Sequence, residues 1–97
     1  MKVYVRVRAE HEMNQVAAWY EQQSAGLGRM FLNSVAEMFK IVRDQPLAFA
    51  RVGGEVRRVP MRIFTYALFY LVDGRGIQVL RCLHQHRNPS SWPSSQH

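Results

Sequence analysis

From Phe64 to Val72 the chain reads Phe-Thr-Tyr-Ala-Leu-Phe-Tyr-Leu-Val, with apolar side chains on both alternating parities. Successive side chains of a strand point to opposite faces, so a strand of this content is covered on both sides and belongs at the middle of a sheet. A membrane span needs about 20 apolar residues, and this run is much shorter. The rest of the chain therefore has to supply flanking strands and a cover. Asp73-Gly74-Arg75-Gly76 reads as a hairpin turn, and Ile77 to His84 returns as the last strand. Upstream, Gly53-Gly54 reads as a turn and Glu55 to Val59 as a strand, interrupted at Pro60, which has no amide hydrogen for a ladder bond.

The cover comes from the first half. Met1 to Arg8 alternates, with Val3, Val5 and Val7 on one face and Lys2, Tyr4, Arg6 and Arg8 on the other, as in a half-buried strand. From about Glu10 the period changes to that of a helix face, through Met13, Val16, Ala17 and Tyr20. Glu10 and Glu12 then lie in its first turn, where acids suit the helix dipole. Ser24-Ala25-Gly26-Leu27-Gly28 breaks the helix with two glycines suited to a tight reversal. A second helix carries Phe31, Val35, Met38 and Val42, widened by Leu32, Phe39 and Ile41, and stops before Pro46. The expected fold class is α+β, in the order β-α-α-β-β-β, with a two-helix antiparallel hairpin packed on one face of an antiparallel sheet. One domain is expected over residues 1–92, with residues 93–97 fraying beyond it.

At 97 residues the chain can bury one core, and domains of this size keep only about 5–15 kcal/mol of stability, so a permanent partner would add a useful share. No apolar signal region opens the sequence and Cys82 has no second cysteine to pair with, so the expected location is the cytoplasm, with no membrane contact. The net charge of +6 is uneven, because residues 51–97 carry seven Arg against Glu55 and Asp73. Such asymmetry fits a polyanionic partner, either nucleic acid or an acidic protein segment, and Arg forks onto carboxylates and phosphates better than Lys. A GC-rich genome would also enrich Arg, and composition does not separate the two.

Phosphate-binding glycine patterns, a GxSxG nucleophile motif and an HExxH zinc helix are missing from the sequence, and no cofactor is expected. Cys82, His84 and His86 alternate along one strand face, as zinc ligands would, but no fourth ligand is in view and no metal site is assigned. Arg57, Arg58, Arg62, Arg81 and Arg87, with His84 and His86, come from segments that the strand order makes neighbours, and together they form a candidate phosphate or carboxylate clamp. A solvated edge with scattered arginines is the plainer account. Arg57 and Arg58 point to opposite faces of a regular strand, so one of them leaves the cluster unless a bulge near Pro60 redirects it. Tyr20 falls on the apolar stripe with Trp19 beside it, which suits core packing, and Trp92 suits a lid folded back on the sheet.

The order of these elements carries several local phrases: Trp19-Tyr20-Glu21 through Gly26-Leu27-Gly28 and Phe31-Leu32, then Pro46, Val56-Arg57-Arg58, Phe64-x-Tyr66-x-x-Phe69-Tyr70 and His84-x-x-Arg87-x-Pro89. Together they resemble the RelE/ParE toxin superfamily, in particular its ParE-like branch, over about Met1 to Trp92. The resemblance implies a toxin of a bacterial type II toxin–antitoxin pair, as in plasmid stabilisation, held inactive in a hetero-oligomer by its cognate antitoxin. For a ParE-like toxin it implies poisoning of DNA gyrase without catalysis. For the ribonuclease branch it implies cleavage of messenger RNA on the ribosome by converging basic groups, which here would be Arg58, His84 and Arg87. That branch usually has an arginine directly after the tyrosine of the third-strand motif, where this chain has Ala67, and a second lysine where it has Pro60. Binding of target or antitoxin is expected on the basic face of Arg57, Arg58, Arg62, Arg81, His84 and Arg87, with the ribonuclease and a plain interaction domain as alternatives.

Overall fold

A computed structural model describes residues 1–86 of the chain. Its elements are β1 (Val3–Val5), α1 (Val7–Gln23), α2 (Leu27–Asp44), β2 (Arg51–Gly53), β3 (Val56–Pro60), β4 (Tyr66–Asp73) and β5 (Gly76–His84). One sheet runs in the order β1-β5-β4-β3-β2, so the helical hairpin crosses from one edge to the other and the meander returns strand by strand. The expected α+β fold with helices on a sheet is the one observed. Arg87, Trp92 and the tail 93–97 lie outside the described residues.

β4 occupies the middle, and Ala67, Leu68, Phe69 and Tyr70 are all buried. Leu68 and Tyr70 join the main core with Phe31, Val35, Met38 and Val42 of α2 and Ala9, Met13 and Ala17 of α1. Ala67 and Phe69 face the other way, into a smaller cluster with Val56, Leu80 and Leu83 that is drawn entirely from strands. Both parities of the run are thus used, as a central strand requires. A bulge opposite Phe69 and Tyr70 leaves Leu80 without a cross-strand partner. It shifts the parity of β5, so that Val79 and Cys82 share the helix side while Leu80 and Leu83 share the other.

The hairpin turn is built on two glycines. Gly26 takes a φ of 90°, in the region glycine favours, and a Cβ on Gly28 would meet the Ala17 carbonyl oxygen at 2.5 Å. The opening amides of α2 are capped from the other helix, since Gly26 N and Gly28 N both donate to the Glu21 carboxylate at 2.9 Å. Those two bonds, the Gly26 one first, hold the Glu21 carboxyl below its ordinary value of 4.5 against an opposing effect of burial, and Arg29 adds a lesser downward pull.

Three expectations are corrected. The first strand is three residues long rather than eight, and α1 starts at Val7, which leaves Val5 37% and Val7 82% exposed. β1 joins β5 in parallel, pairing Val3 with Ile77 and Val5 with Val79, so the sheet is mixed and only β2 to β5 are antiparallel. The turn before β3 falls at Gly54-Glu55, with Gly53 ending the extra edge strand β2.

The early start of α1 has a clear cause. Arg6 N makes the last bond of the β1–β5 pairing, to the Val79 carbonyl at 2.9 Å, and beyond it no strand of the described residues lies along the outer edge of β5. Glu12 of α1 takes that place. Its Oε1 accepts the Cys82 amide at 2.9 Å, and the carboxylate grips the Arg81 guanidinium at 2.7 and 2.9 Å, with both side chains about 15% exposed (14% and 16%). Glu12 therefore acts as a surrogate strand at the edge of β5 rather than as a first-turn acid.

Two outcomes follow from these contacts. Glu12→Ala strands a largely buried guanidinium and an edge amide, and urea unfolding is expected to show a loss of about 3 kcal/mol; a loss below about 1 kcal/mol would mean that water replaces the carboxylate. The carboxyl of Glu21 is depressed in the folded state, so its contribution is complete above 4.5 and is lost as pH falls through the folded value. Melting temperatures of Glu21→Gln followed from neutral pH downward are expected to fall less steeply with acid than those of the parent protein.

Candidate functional site

The six basic candidates do not form one face. Arg57 lies across from Tyr70 and Arg58 across from Phe69, which places them on opposite sides of the sheet. Arg57 Nη1 donates to the carbonyls of Phe49 at 2.7 Å and Leu47 at 3.1 Å, while the Tyr70 hydroxyl donates to the Pro46 carbonyl at 2.7 Å. Together they fasten the α2–β2 connection onto the sheet. Burial pushes the Tyr70 phenol up, opposed by Arg57, which keeps it a donor. Arg81 is held by Glu12.

On the other side, Arg58 Nη2 donates to the Gln85 carbonyl at 3.0 Å. The Gln85 amide nitrogen reaches the carbonyls of Met61, Phe64 and Tyr66 at 3.3–3.4 Å, and its backbone N donates to Thr65 at 2.9 Å. Gln85 thereby locks the β3–β4 connection to the end of β5. This brings Arg58, exposed Arg62, exposed His84 and exposed His86 to the same end of the sheet. Arg62 has no side-chain bond with the described residues. Arg87, the last of the six, falls beyond residue 86.

The same end carries a groove of about 220 Å³ between α1 and the strands, lined by Glu12, Gln15, Val16, Tyr66, Cys82, Leu83 and His84. A series of rings leads to it: Tyr66 and Tyr20 are 6.4 Å apart, Tyr66 and His84 5.5 Å, and His84 and His86 5.4 Å. Trp19 stands at the far end of that series, edge-on to Tyr20 at 5.2 Å and 56% exposed, so it caps the core instead of entering it. Burial raises the Tyr66 phenol, with Tyr20 and Cys82 adding to the effect, so its hydroxyl stays protonated. His84 Nδ1 accepts the His86 amide at 3.3 Å, which leaves the proton of the neutral ring on Nε2.

Cys82 and His84 share the groove, as their spacing predicts. Burial pushes the Cys82 thiol up to about 12, with the Glu12 charge adding to it, and a thiol is a poor zinc ligand and nucleophile. No group of three His, Cys, Asp or Glu side chains suited to a metal occurs among the described residues. Ala67 and Pro60 face each other across β4 and β3, and neither supplies a charge there. Sequence reasoning missed Glu12 and Gln85 as organisers of the site. Their bonds go to residues 70 and about 20 positions away, beyond the reach of any local pattern.

No protein-family model matches the sequence, and no curated protein matches it closely enough to count as a relative. Among solved structures, the chain is similar to one chain of the "Chromosomal ParDE TA system from P. aeruginosa", with a TM-score of 0.62 and 17% identity. The match covers 87% of this chain and 95% of that one. At this identity the likeness shows a shared fold.

Arg57 and Arg62 are expected to separate cleanly in stability. Arg57→Ala removes two guanidinium bonds to carbonyls and should lower the unfolding free energy by roughly 1.5–3 kcal/mol, whereas Arg62→Ala should stay within about 0.5 kcal/mol. Chemical denaturation of the two variants checks this, and equal effects would contradict the assignment.

Proposed function

We propose that this protein is the toxin of a type II toxin–antitoxin pair, neutralised by a cognate antitoxin and acting in the cytoplasm by binding a macromolecular target. The observation that carries the reading is the likeness in fold, over nearly the full length of both chains, to a chain of a ParDE system. The ParE-like phrases along the sequence support the same branch, for which the resemblance implies DNA gyrase as the target. The excess of arginine over acid in the second half suits an acidic antitoxin segment. No helix among the described residues is long and apolar enough to cross a membrane.

The ribonuclease reading has one favourable observation: Arg58 and His84 lie at the same end of the sheet, although on opposite faces of it. Metal-free phosphodiester cleavage needs a base, an acid and a cation free to engage the phosphate, each commonly worth a factor of about 10² or more. Arg58 is bonded to the Gln85 carbonyl and the neutral His84 ring keeps its proton on Nε2, so both would have to let go of their present partners first. Binding without catalysis requires no such release.

Brief expression in a bacterial host, with mapping of RNA ends and a parallel gyrase supercoiling assay on purified protein, separates the readings. Growth arrest with inhibited supercoiling and intact RNA is the expected result. Codon-positioned cleavage that disappears in Arg87→Ala, with supercoiling untouched, would promote the nuclease. Co-expression of the adjacent reading frame should restore growth, and its product at 100 times Kd should stabilise the fold by about 2.7 kcal/mol.

A further inference from the structure

Among the described residues, the groove at the end of the sheet offers hydrogen-bond donors without a free positive charge. The Tyr66 hydroxyl has no partner among the described residues, and its raised pKa keeps the proton in place. His84, with Nδ1 occupied by the His86 amide, presents its Nε2 hydrogen. Gln15 adds an exposed amide on the α1 wall. The Glu12 carboxylate on that wall would repel an anion if left alone, but the Arg81 guanidinium at 2.7 Å neutralises it. Val16 supplies an apolar lining beside these donors.

Convergent donors call for an acceptor. A phosphate, with up to two charges, is ordinarily met by Arg or Lys, and among the described residues neither lines the groove. A single carboxylate is satisfied by two or three neutral donors, and the +6 charge of the chain attracts an acidic segment from a distance. We propose that this groove receives one Glu or Asp side chain from a protein partner, with the carboxylate on Tyr66 Oη–H and His84 Nε2–H and its methylenes against Val16. The inference builds on the reading of the chain as a toxin held by an antitoxin, for which it names an anchoring point.

The test is an NMR titration of the full chain, following the His84 ring resonances. The probes are the peptide acetyl-Ala-Leu-Glu-Leu-Ala-amide, its Gln counterpart, and inorganic phosphate. The Glu peptide is expected to shift the ring signals saturably, with the Gln peptide and the Tyr66→Phe variant each weakening binding about tenfold. Phosphate is expected to give no saturable shift. Backbone spectra of Tyr66→Phe report whether it is folded, and His84→Gln, which keeps a donor, should retain part of the affinity. Equal binding of the Glu and Gln peptides, preference for phosphate, or no saturable shift at all would overturn the assignment. These readouts are independent of growth arrest: loss of the peptide effect with toxicity intact rejects the groove alone, and peptide binding without toxicity rejects the toxin reading while the groove stands.

Discussion

The architecture depends on how one edge of β5 is finished. β1 covers that edge only as far as Val79, and the strand continues to His84 with its amides facing outward. An unpaired strand edge leaves backbone donors without partners and invites association with other chains. Here the chain that has just left the sheet turns at once into α1, and Glu12 reaches back to take the Cys82 amide and the Arg81 guanidinium. One carboxylate thus sets where the strand ends, how close α1 lies to the sheet, and where the groove above Cys82 opens. The bulge at Leu80 belongs to the same arrangement, because it changes the parity of β5 just before the residues that Glu12 holds.

A second consequence concerns charge. The sequence carries thirteen basic residues and looks ready to grip a polyanion, yet three of its six candidate cations are already engaged within the protein. Arg57 ties down the α2–β2 connection, Arg58 ties down the end of β5, and Arg81 is paired with Glu12. Much of the arginine enrichment therefore holds loops onto a small sheet. A guanidinium suits that work because several donors in a rigid fork can satisfy carbonyls that no strand reaches. The charge left for long-range attraction sits on exposed residues such as Arg62, and a protein partner with acidic side chains suits it better than a buried phosphate clamp does.

The ring series from Trp19 through Tyr20 and Tyr66 to His84 links the helical hairpin to the end of the sheet that carries the groove. Its interior members pack the core, and its last members border the groove. A partner seated there would press on rings that also fix the hairpin against the strands, so binding and stability are coupled through the same side chains. That coupling suits a small domain that gains stability from a bound partner.

The elements of the fold were legible in the sequence because their signals are local. The two-parity run placed β4 in the centre, Gly26 and Gly28 placed the hairpin turn, and the spacing of Phe31, Val35, Met38 and Val42 identified the buried face of α2. The order of short phrases suggested a resemblance that agrees with the fold the chain shares with a chain of a ParDE system. What sequence alone could not decide were the features made by contacts between distant segments. The parallel pairing of β1 with β5, the early start of α1, and the division of Arg57, Arg58 and Arg81 among three separate structural duties are all of this kind. Periodicity reports which face of an element is apolar, whereas the partner of a polar group depends on which backbone groups the assembled sheet leaves unpaired. Only the tertiary structure, by ending β1 at the edge of β5, creates the bare amide that Glu12 answers.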